Sequence, residues 1–434
     1  MHWLLVASLL AADPDLSATA EAEQQETKRP QQTPSTGAQP TPGTGAQPTP
    51  EERKKLEEEI AKELGAQPQP PAAGQPATQA PAAPGAQPAP AQPGQGQTGG
   101  NPFARLLLLP DISAIGSGAL AWNQLPVEVV SPRSDPFAPA HKVQPVLQEV
   151  ELAFQAVVDP YARADVFLSF GQEGVEVEEA YLSTLGLPYS LQARGGQFFA
   201  PVGRINQQHA HVWDFVDRPL ALARLLGVDA LKGPGVEVAW LAPTSWFAEV
   251  RLAYQALRPG FLAQSRNAGV GRLAQFFDVG EASTLGVGVS GVIFDEPGAG
   301  ASRQLVGGDV FLKIRPLRTR SYVTLQAEVV SRWLTTAAET TEEHAEPSGT
   351  EWGGYVQAVW RDGPYFAYGA RYERAPAVTG GPEHRVSALA SWLPSEFQRI
   401  RLQVSYDRLP GGSDGVEALL HLEFAIGAHG AHPF

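Results

Sequence analysis

The chain has no cysteine and a single methionine among its 434 residues. It therefore has no disulfide framework and no cysteine through which a lipid could be attached. Lysine is also scarce beyond residue 100, where the sequence has only Lys142, Lys232 and Lys313. The formal net charge of −14 argues against nucleic-acid binding as the main task, because that task needs a basic surface.

Long apolar runs and catalytic motifs are missing as well. No segment after the first twelve residues has the roughly 18 consecutive apolar residues that a membrane-spanning helix needs. The sequence has no serine-hydrolase elbow and no glycine-rich phosphate loop. These absences argue against a helical membrane protein, and they predict a protein that is not an enzyme.

The first hundred residues differ in composition from the rest. Residues 1–20 resemble a secretory signal peptide, with a short apolar segment followed by small residues. Residues 21–100 are rich in Pro, Gln and Ala, which predicts a disordered linker because such a segment buries too little apolar surface to fold. Inside it, residues 50–65 (PEERKKLEEEIAKELG) predict one short charged helix, either solvated and partly frayed or forming a weak coiled-coil or periplasmic contact. Residues 101–434 then form a separate folded domain.

Alternation of polar and apolar residues is the main signal in that domain. In QEVELAFQAVVDPYARADVFLSF, residues 148–170, Glu149 and Glu151 alternate with Val150 and Leu152, and the alternation resumes after an Asp-Pro turn. A period of two predicts two β-strands joined by a tight turn, each with one apolar face. The same pattern recurs in sixteen segments between residues 111 and 427, an even number typical of bacterial membrane barrels.

The connections between these segments alternate between short turns and longer loops, as the two rims of a closed antiparallel barrel require. If the last strand runs inward, the short turns lie at the periplasmic rim. Two segments are irregular. Glu178 and Glu179 break the alternation, which predicts a β-bulge, and residues 271–279 form the weakest strand, with a short helix as the alternative.

A soluble β-sandwich is the competing interpretation, since it also alternates polar and apolar residues. Its polar face would meet water and carry many lysines, whereas the polar face here consists of Arg, Glu, Gln, Ser and Gly. Aromatic residues also lie near the predicted strand ends on the apolar face, as in the two interfacial belts of a membrane barrel. We therefore predict an all-β fold, an antiparallel transmembrane β-barrel of about 16 strands, preceded by the disordered linker with its short helix.

Four stretches carry a resemblance to a known family: NPFARLLLLPDISAIGSGAL, VDPYARADVFLSF, EGVEVEEAYLSTLGLP and GRINQQHAHVWDFVDRPL. Residues 101–434 resemble bacterial outer-membrane porins of the phosphate-selective porin type, and among them proteobacterial proteins labelled zinc-regulated outer-membrane receptors. The resemblance implies an outer-membrane channel for passive diffusion of small hydrophilic solutes or ions. The alternative is a component that takes up zinc or another divalent metal.

The resemblance also implies partners and a location. The barrel would sit in outer-membrane lipid after insertion by the barrel assembly machinery, form a homotrimer, and leave its linker in the periplasm. A structural role, in which the linker tethers the barrel to a periplasmic partner or the cell wall, is a further alternative.

The third long connection, residues 203–227, is the most informative loop. In porins of this size the corresponding loop commonly folds into the lumen, so by resemblance it lines a constriction through Arg204, His209, His211, Asp214, Asp217 and Arg218. His209, His211 and Asp214 also have residue types and a spacing that zinc uses, and the alternative for them is a hydrogen-bonded loop anchor. The alternation predicts further lumen-facing charges at Glu149, Glu151, Arg163, Asp165, Glu237, Arg251, Arg315, Arg399, Arg401 and Glu423.

Overall fold

The structure, a computed structural model, describes residues 110–125, 141–172, 174–259, 265–295, 302–335, 349–377 and 381–427. The predicted signal peptide, the linker and its helix at 50–65 lie outside the described residues. Most of the first long connection, between residues 126 and 140, lies outside them too.

Strands dominate the described part of the chain. They are β1 (Asp111–Asn123), β2 (Gln144–Asp159), β3 (Ala162–Gly171), β4 (Gly174–Thr184), β5 (Leu191–Phe199), β6 (Lys232–Leu241), β7 (Phe247–Leu257), β8 (Arg266–Asp278), β9 (Thr284–Phe294), β10 (Ser302–Ile314), β11 (Tyr322–Thr335), β12 (Gly349–Asp362), β13 (Phe366–Pro376), β14 (Pro382–Ser395), β15 (Gln398–Arg408) and β16 (Asp414–Gly427). One α-helix, α1 (Leu220–Leu226), and the 3-10 turns Pro188–Ser190, Ile205–Gln207 and Ala210–Val212 complete this part of the chain.

The sixteen predicted strands are confirmed, with their ends moved by a few residues. The largest change is in β8, which begins at Arg266 and has 13 residues, so the alternative of a short helix at 271–279 is wrong. Propensity alone favours a helix for its Leu-Ala-Gln segment, but pairing with β7 and β9 along the whole strand overrides that weak local preference.

Every strand pairs antiparallel with its neighbours in the chain, and β1 also pairs with β16, so that the sheet closes into a barrel. The register of the closing pair sets Ala119 opposite His421. Closure removes both sheet edges, which satisfies the backbone hydrogen-bonding groups of the first and last strands. The predicted fold class is confirmed.

The barrel wall has its polar face inside. Charged side chains such as Glu151, Arg385 and Arg401 are 1 % exposed, whereas Leu252 and Val236 on the outer face are each 62 % exposed. A soluble protein has the reverse arrangement, since water would meet the apolar side chains. The outer face therefore suits lipid, and the alternation of each strand separates a lipid-facing from a lumen-facing set.

The two rims differ as predicted. The connections on one rim are short, for example Pro160–Tyr161 between β2 and β3, while the opposite rim carries the long connection 200–231 between β5 and β6. Exposed aromatic residues follow both rims: Trp240 and Trp360 lie near the short-turn ends of their strands, and Trp333 near the other end of β11. Among the described residues, no helix is long and apolar enough to cross a membrane.

Candidate functional site

Residues 200–231, here called the internal loop, fold into the barrel. The loop leaves and re-enters the wall at one place, where Ala200 N–H donates to the carbonyl of Leu231 at 2.8 Å. The fully buried side chain of Asn206 closes this neck, because its Nδ2 donates to the carbonyls of Ala200 and Leu231 at 3.0 Å each. Its Oδ1 accepts the N–H of Leu231 at 2.8 Å. The loop therefore has a closed base of its own and projects into the lumen as a unit.

Helix α1 gives the internal loop an apolar side. Its segment LALARLL begins after Pro219, a residue that has no backbone N–H to donate. It ends before Gly227, whose φ of 113° favours glycine. Leu222, Leu225 and Leu226 are completely buried in one cluster with inward-facing residues of several strands. These wall residues are Phe198, Ala253, Leu257, Ala268, Val270, Val292, Phe294, Leu305, Val330 and Tyr355. Part of the lumen is thus a packed apolar core.

A buried carboxylate on β11 binds the start of the loop. The N–H groups of Arg204 and Ile205 each donate to Glu328 at 2.9 Å, and the Tyr355 hydroxyl donates to the same carboxylate at 2.6 Å. Gly203 makes this approach feasible, because its φ is +59° and a Cβ there would lie 2.2 Å from Oε2 of Glu328. Close contact between backbone and carboxylate therefore requires glycine at this position.

Asp217 is the central anchor of the loop. Its carboxylate pairs with Arg371 of β13 and, at 3.1 Å, with Arg385 of β14, and it accepts a hydrogen bond from Gln403 of β15 at 2.8 Å. Burial alone would raise the pKa of Asp217, but the two guanidinium groups outweigh burial and lower that pKa to about 2. One loop residue thus joins three adjacent strands through charge-assisted hydrogen bonds.

Two arginines of β15 bind the loop backbone beside Asp217. Arg401 Nη1 donates to the carbonyls of Trp213 at 2.8 Å and Phe215 at 3.0 Å, and Arg399 Nη1 donates to Trp213 at 3.0 Å. Glu423 of β16 accepts from both guanidinium groups, at 2.7 Å from Arg399 and 3.1 Å from Arg401. Segment 213–217 is therefore positioned by directional bonds, which fix its backbone as well as its side chains.

His209 anchors the loop to a second part of the wall, formed by β2 and β4. Its Nδ1 lies 2.9 Å from Glu178 and 2.8 Å from Glu151, and its Nε2 lies 3.0 Å from Glu179. Burial would lower the pKa of His209, but Glu151 and Glu178 outweigh burial and hold that pKa well above its usual range.

The predicted bulge explains how two consecutive glutamates reach one histidine. Phe167 of β3 pairs with Glu179 and Leu168 pairs with Val177, so that Glu178 is the extra residue of β4. A bulge re-aims the side chain that it inserts. Because of it, Glu178 and Glu179 both contact the ring of His209 instead of pointing to opposite faces.

The six residues predicted to form one constriction do not meet in a ring. His209 and His211 lie against β2 and β4, Asp217 lies against β13 to β15, and Arg218 donates to Asn206 at 2.8 Å. The guanidinium of Arg204 stacks 4.1 Å from the ring centre of Phe311 on β10. The loop spans the lumen and distributes these residues over different parts of the wall.

Two individual assignments need correction. Asp214 does not join His209 and His211, and the carboxylates that meet these histidines come from Glu149, Glu151 and Glu178. Sequence spacing cannot reveal this, because the glutamates belong to strands about 30 to 60 positions earlier in the chain. Arg315 lies just beyond the end of β10, where its N–H donates to Ser283, and not on a strand face.

The other predicted lumen-facing residues lie on the inward face of the wall. They pair with one another or with the loop: Arg163 with Asp165, Arg194 with Glu237, and Arg251 with Glu249 and with Gln207 of the loop. Several residues that hold the loop carry no local signal in the sequence. Asn206 and Glu328 are examples, because only the tertiary structure brings their partners to them.

Comparison with known structures identifies the class of this barrel. An anion-selective porin from Comamonas acidovorans superimposes with a TM-score of 0.50 and 10 % identity, covering 73 % of this chain and 99 % of that one. The outer membrane channel DcaP of Acinetobacter baumannii gives a TM-score of 0.51 and 11 % identity, covering 73 % and 97 %. At such identities the likeness concerns the fold alone, which is that of the 16-stranded outer-membrane porins.

Sequence comparison then gives the family. An uncharacterized protein of Aquifex aeolicus (strain VF5) is 32 % identical over 329 residues, which cover 66 % of this chain and 70 % of the relative. The chain belongs to the same family as that Aquifex protein. No protein-family model matches the sequence.

Proposed function

We propose that this protein is an outer-membrane channel for passive diffusion of small hydrophilic solutes or ions. One observation carries the proposal: a closed barrel with an apolar outer face and charged inner face is crossed by a loop anchored on several strands. A barrel of about sixteen strands is wide enough to hold an aqueous path beside side chains. The internal loop, which carries Arg204, His209, His211, Asp214, Asp217 and Arg218, would narrow that path.

Paired charges along the wall predict weak ion selectivity. Arg272 and Asp309 pair at 2.6 Å and Arg194 and Glu237 at 2.9 Å, so neighbouring charges cancel instead of forming a ring of one sign. Rings of one sign are what select the opposite ion. We therefore expect only a small reversal potential in a salt gradient. A large one would show that some charge in the path is uncompensated.

Planar lipid bilayers test the channel directly. Purified, folded protein should produce discrete conductance steps. A variant in which residues 202–230 are replaced by a two-residue turn should produce larger steps, because Phe199 and Lys232 pair and already bring the ends of the loop together. Folded protein that gives no steps, with or without the loop, would contradict the proposal.

We further propose that residues 1–20 are a signal peptide, that the linker 21–100 lies in the periplasm, and that residues 101–434 form a porin of the phosphate-selective type. Lipid, the barrel assembly machinery and two further copies of the chain would be the partners. Deletion of residues 27–100 should leave the conductance unchanged. Loss of envelope integrity in that variant would favour a tethering role for the linker.

Uptake of zinc or another divalent metal is the second candidate, as expected for the zinc-regulated proteins that the sequence resembles. Two histidines of the internal loop and glutamates of β2 and β4 come together in the lumen, which favours it. Transport needs release as well as binding. Proteoliposomes loaded with a zinc-sensitive or a magnesium-sensitive dye should therefore fill faster with zinc than with magnesium, and equal rates would leave only the general channel.

A further inference from the structure

The carboxylate of Glu151 lies between the two histidines of the internal loop. Its Oε2 is 2.8 Å from Nδ1 of His209 and 3.4 Å from Nδ1 of His211, and the residue is 1 % exposed. Potential ligand atoms of Glu151, Glu178 and His209 all lie within 4.8 Å of one another, and the same holds for Glu149, Glu151 and His211. Glu151 thus belongs to two overlapping groups of ligand atoms.

The hydrogens available in this cluster do not satisfy its acceptors. Nδ1 of His209 carries at most one hydrogen, yet two carboxylates lie within reach of it, Glu151 at 2.8 Å and Glu178 at 2.9 Å. Among the described residues, both carboxylate oxygens of Glu151 are buried and accept no hydrogen bond of good geometry, although Oε2 lies 2.8 Å from Nδ1 of His209. A buried carboxylate that lacks well-aligned donors is costly, so an additional positive charge at this point would be strongly stabilising.

Two arginines of the neighbouring strands β3 and β5 already form ion pairs with other carboxylates. Arg163 pairs with Asp165 at 2.8 Å, and Arg194 pairs with Glu237 at 2.9 Å. In this corner the glutamates at 151, 178 and 179 contact the two histidines of the loop, and a carboxylate oxygen of Glu149 lies within 4.8 Å of a ring nitrogen of His211. Phe167 and Phe199 cover His209 on two sides, with ring centres 4.7 and 5.0 Å away, and this reduces the access of water.

We propose that Glu151, Glu178 and His209, completed by Glu149 or His211, bind one divalent transition-metal ion that fastens the internal loop to β2 and β4. Ligands about 2.1 Å from a tetrahedral ion lie about 3.4 Å apart, close to the spacing of these atoms. Mixed imidazole and carboxylate ligands suit zinc and its first-row neighbours, whereas calcium and magnesium take oxygen ligands.

This ion is a resident part of the fold and goes beyond the proposed channel function. Its ligands come from two strands and the loop, and Phe167 and Phe199 cover His209, so the site is shielded from water as a closed structural metal site would be. Binding would fasten the part of the loop around His209 to β2 and β4, apart from the Asp217 anchor on β13 to β15. The inference does not depend on conduction, because metal binding can be measured on protein that forms no channel.

Metal titration of the full chain tests the inference. Protein stripped with a chelator should bind one zinc ion in calorimetry, and cobalt should give the visible absorption bands of a low-coordinate nitrogen and oxygen site. Glu151→Gln keeps the shape of the side chain and should weaken zinc binding by at least about 100-fold, since even residues outside the ligand shell often cost 10- to 100-fold. The matched control is His421→Gln, which changes another buried lumen histidine and should bind zinc normally.

Hydrogen exchange gives the second measurement. Zinc should slow exchange of the amides at 207–213 in the natural sequence but not in Glu151→Gln, whose folding is checked by heat-modifiable migration. Zinc binding that Glu151→Gln does not weaken would place the ion elsewhere and overturn the inference. Absence of zinc binding would overturn it too, because protons alone would then satisfy the cluster. Equal affinity for calcium would refute the assigned metal class.

Discussion

The internal loop meets the barrel in two different ways. On one side, α1 buries Leu222, Leu225 and Leu226 against inward-facing apolar residues of the wall. On the other side, Asp217 and segment 213–217 are held by arginines and a glutamine of β13 to β15. Apolar packing has no preferred direction and tolerates small displacements, whereas ion pairs and hydrogen bonds define positions within a few tenths of an ångström. The apolar packing therefore holds the loop inside the lumen, and the ion pairs and hydrogen bonds fix its exact position there.

Loss of an arginine should give the largest effect. Arg385→Ala leaves Asp217 and Glu417 buried without their shared partner, and breaking a buried pair typically costs about 3–5 kcal/mol. Hydrogen exchange should accelerate strongly at 213–217 and much less at 222–226. Arg408→Ala, at an exposed arginine of β15, is the control and should change neither segment. Equal acceleration of both segments would show that the two sides unfold together.

Loss of aliphatic packing should give the next effect. Leu222→Ala removes a completely buried side chain and should lower the free energy of local unfolding by about 2–5 kcal/mol. Exchange should now accelerate at 220–226 first. Leu252→Ala makes the same change on the outer face, where the side chain is 62 % exposed, and should cost far less because no cavity forms. If the two leucine variants behaved alike, the core inside the lumen would contribute little.

Acid should affect only the charged side, with the smallest effect. The folded-state pKa of Asp217 is about 2, below the ordinary aspartate value of about 3.9, so this carboxylate stabilises the docked loop above pH 4. That stabilisation, about 2 kcal/mol, is lost as the pH falls through 2. Pepsin should therefore cleave segment 213–217 faster at pH 2 than at pH 4. Asp217→Asn is the control for pepsin's own pH dependence, and identical rate ratios in both proteins would rule out Asp217 as the source.

The strands could be predicted closely because their signal is local. In a barrel wall each residue faces either lipid or lumen. The apolar Leu152 and the charged Glu151 can therefore be assigned to the lipid and the lumen from their residue types alone. Even the bulge at Glu178 is visible as a break in the alternation. Aromatic residues such as Trp360 mark the strand ends for the same reason, since they occupy the boundary between lipid and water.

The contacts of the internal loop could be predicted only in part. Its entry into the lumen follows from the resemblance to porins, and His209 and Asp217 are recognisable in the sequence as titratable residues of the loop. Their partners do not follow, since Glu151 is 58 positions from His209 and Arg371 is 154 positions from Asp217. The assignment of Asp214 to the histidines was wrong, because residues that are close together in the sequence of a folded loop can lie against different parts of the barrel wall.

The sequence by itself determined that this chain closes into a barrel of sixteen strands with charges inside, because alternation, turn lengths and aromatic placement are properties of consecutive residues. Only the tertiary structure decided which charges meet. Closing the barrel around the loop brings Arg371, Arg385 and Gln403 to one carboxylate and three glutamates to one histidine. The physical reason is that side-chain polarity is a local property, whereas charge pairing depends on distances between residues that only the closed fold brings together.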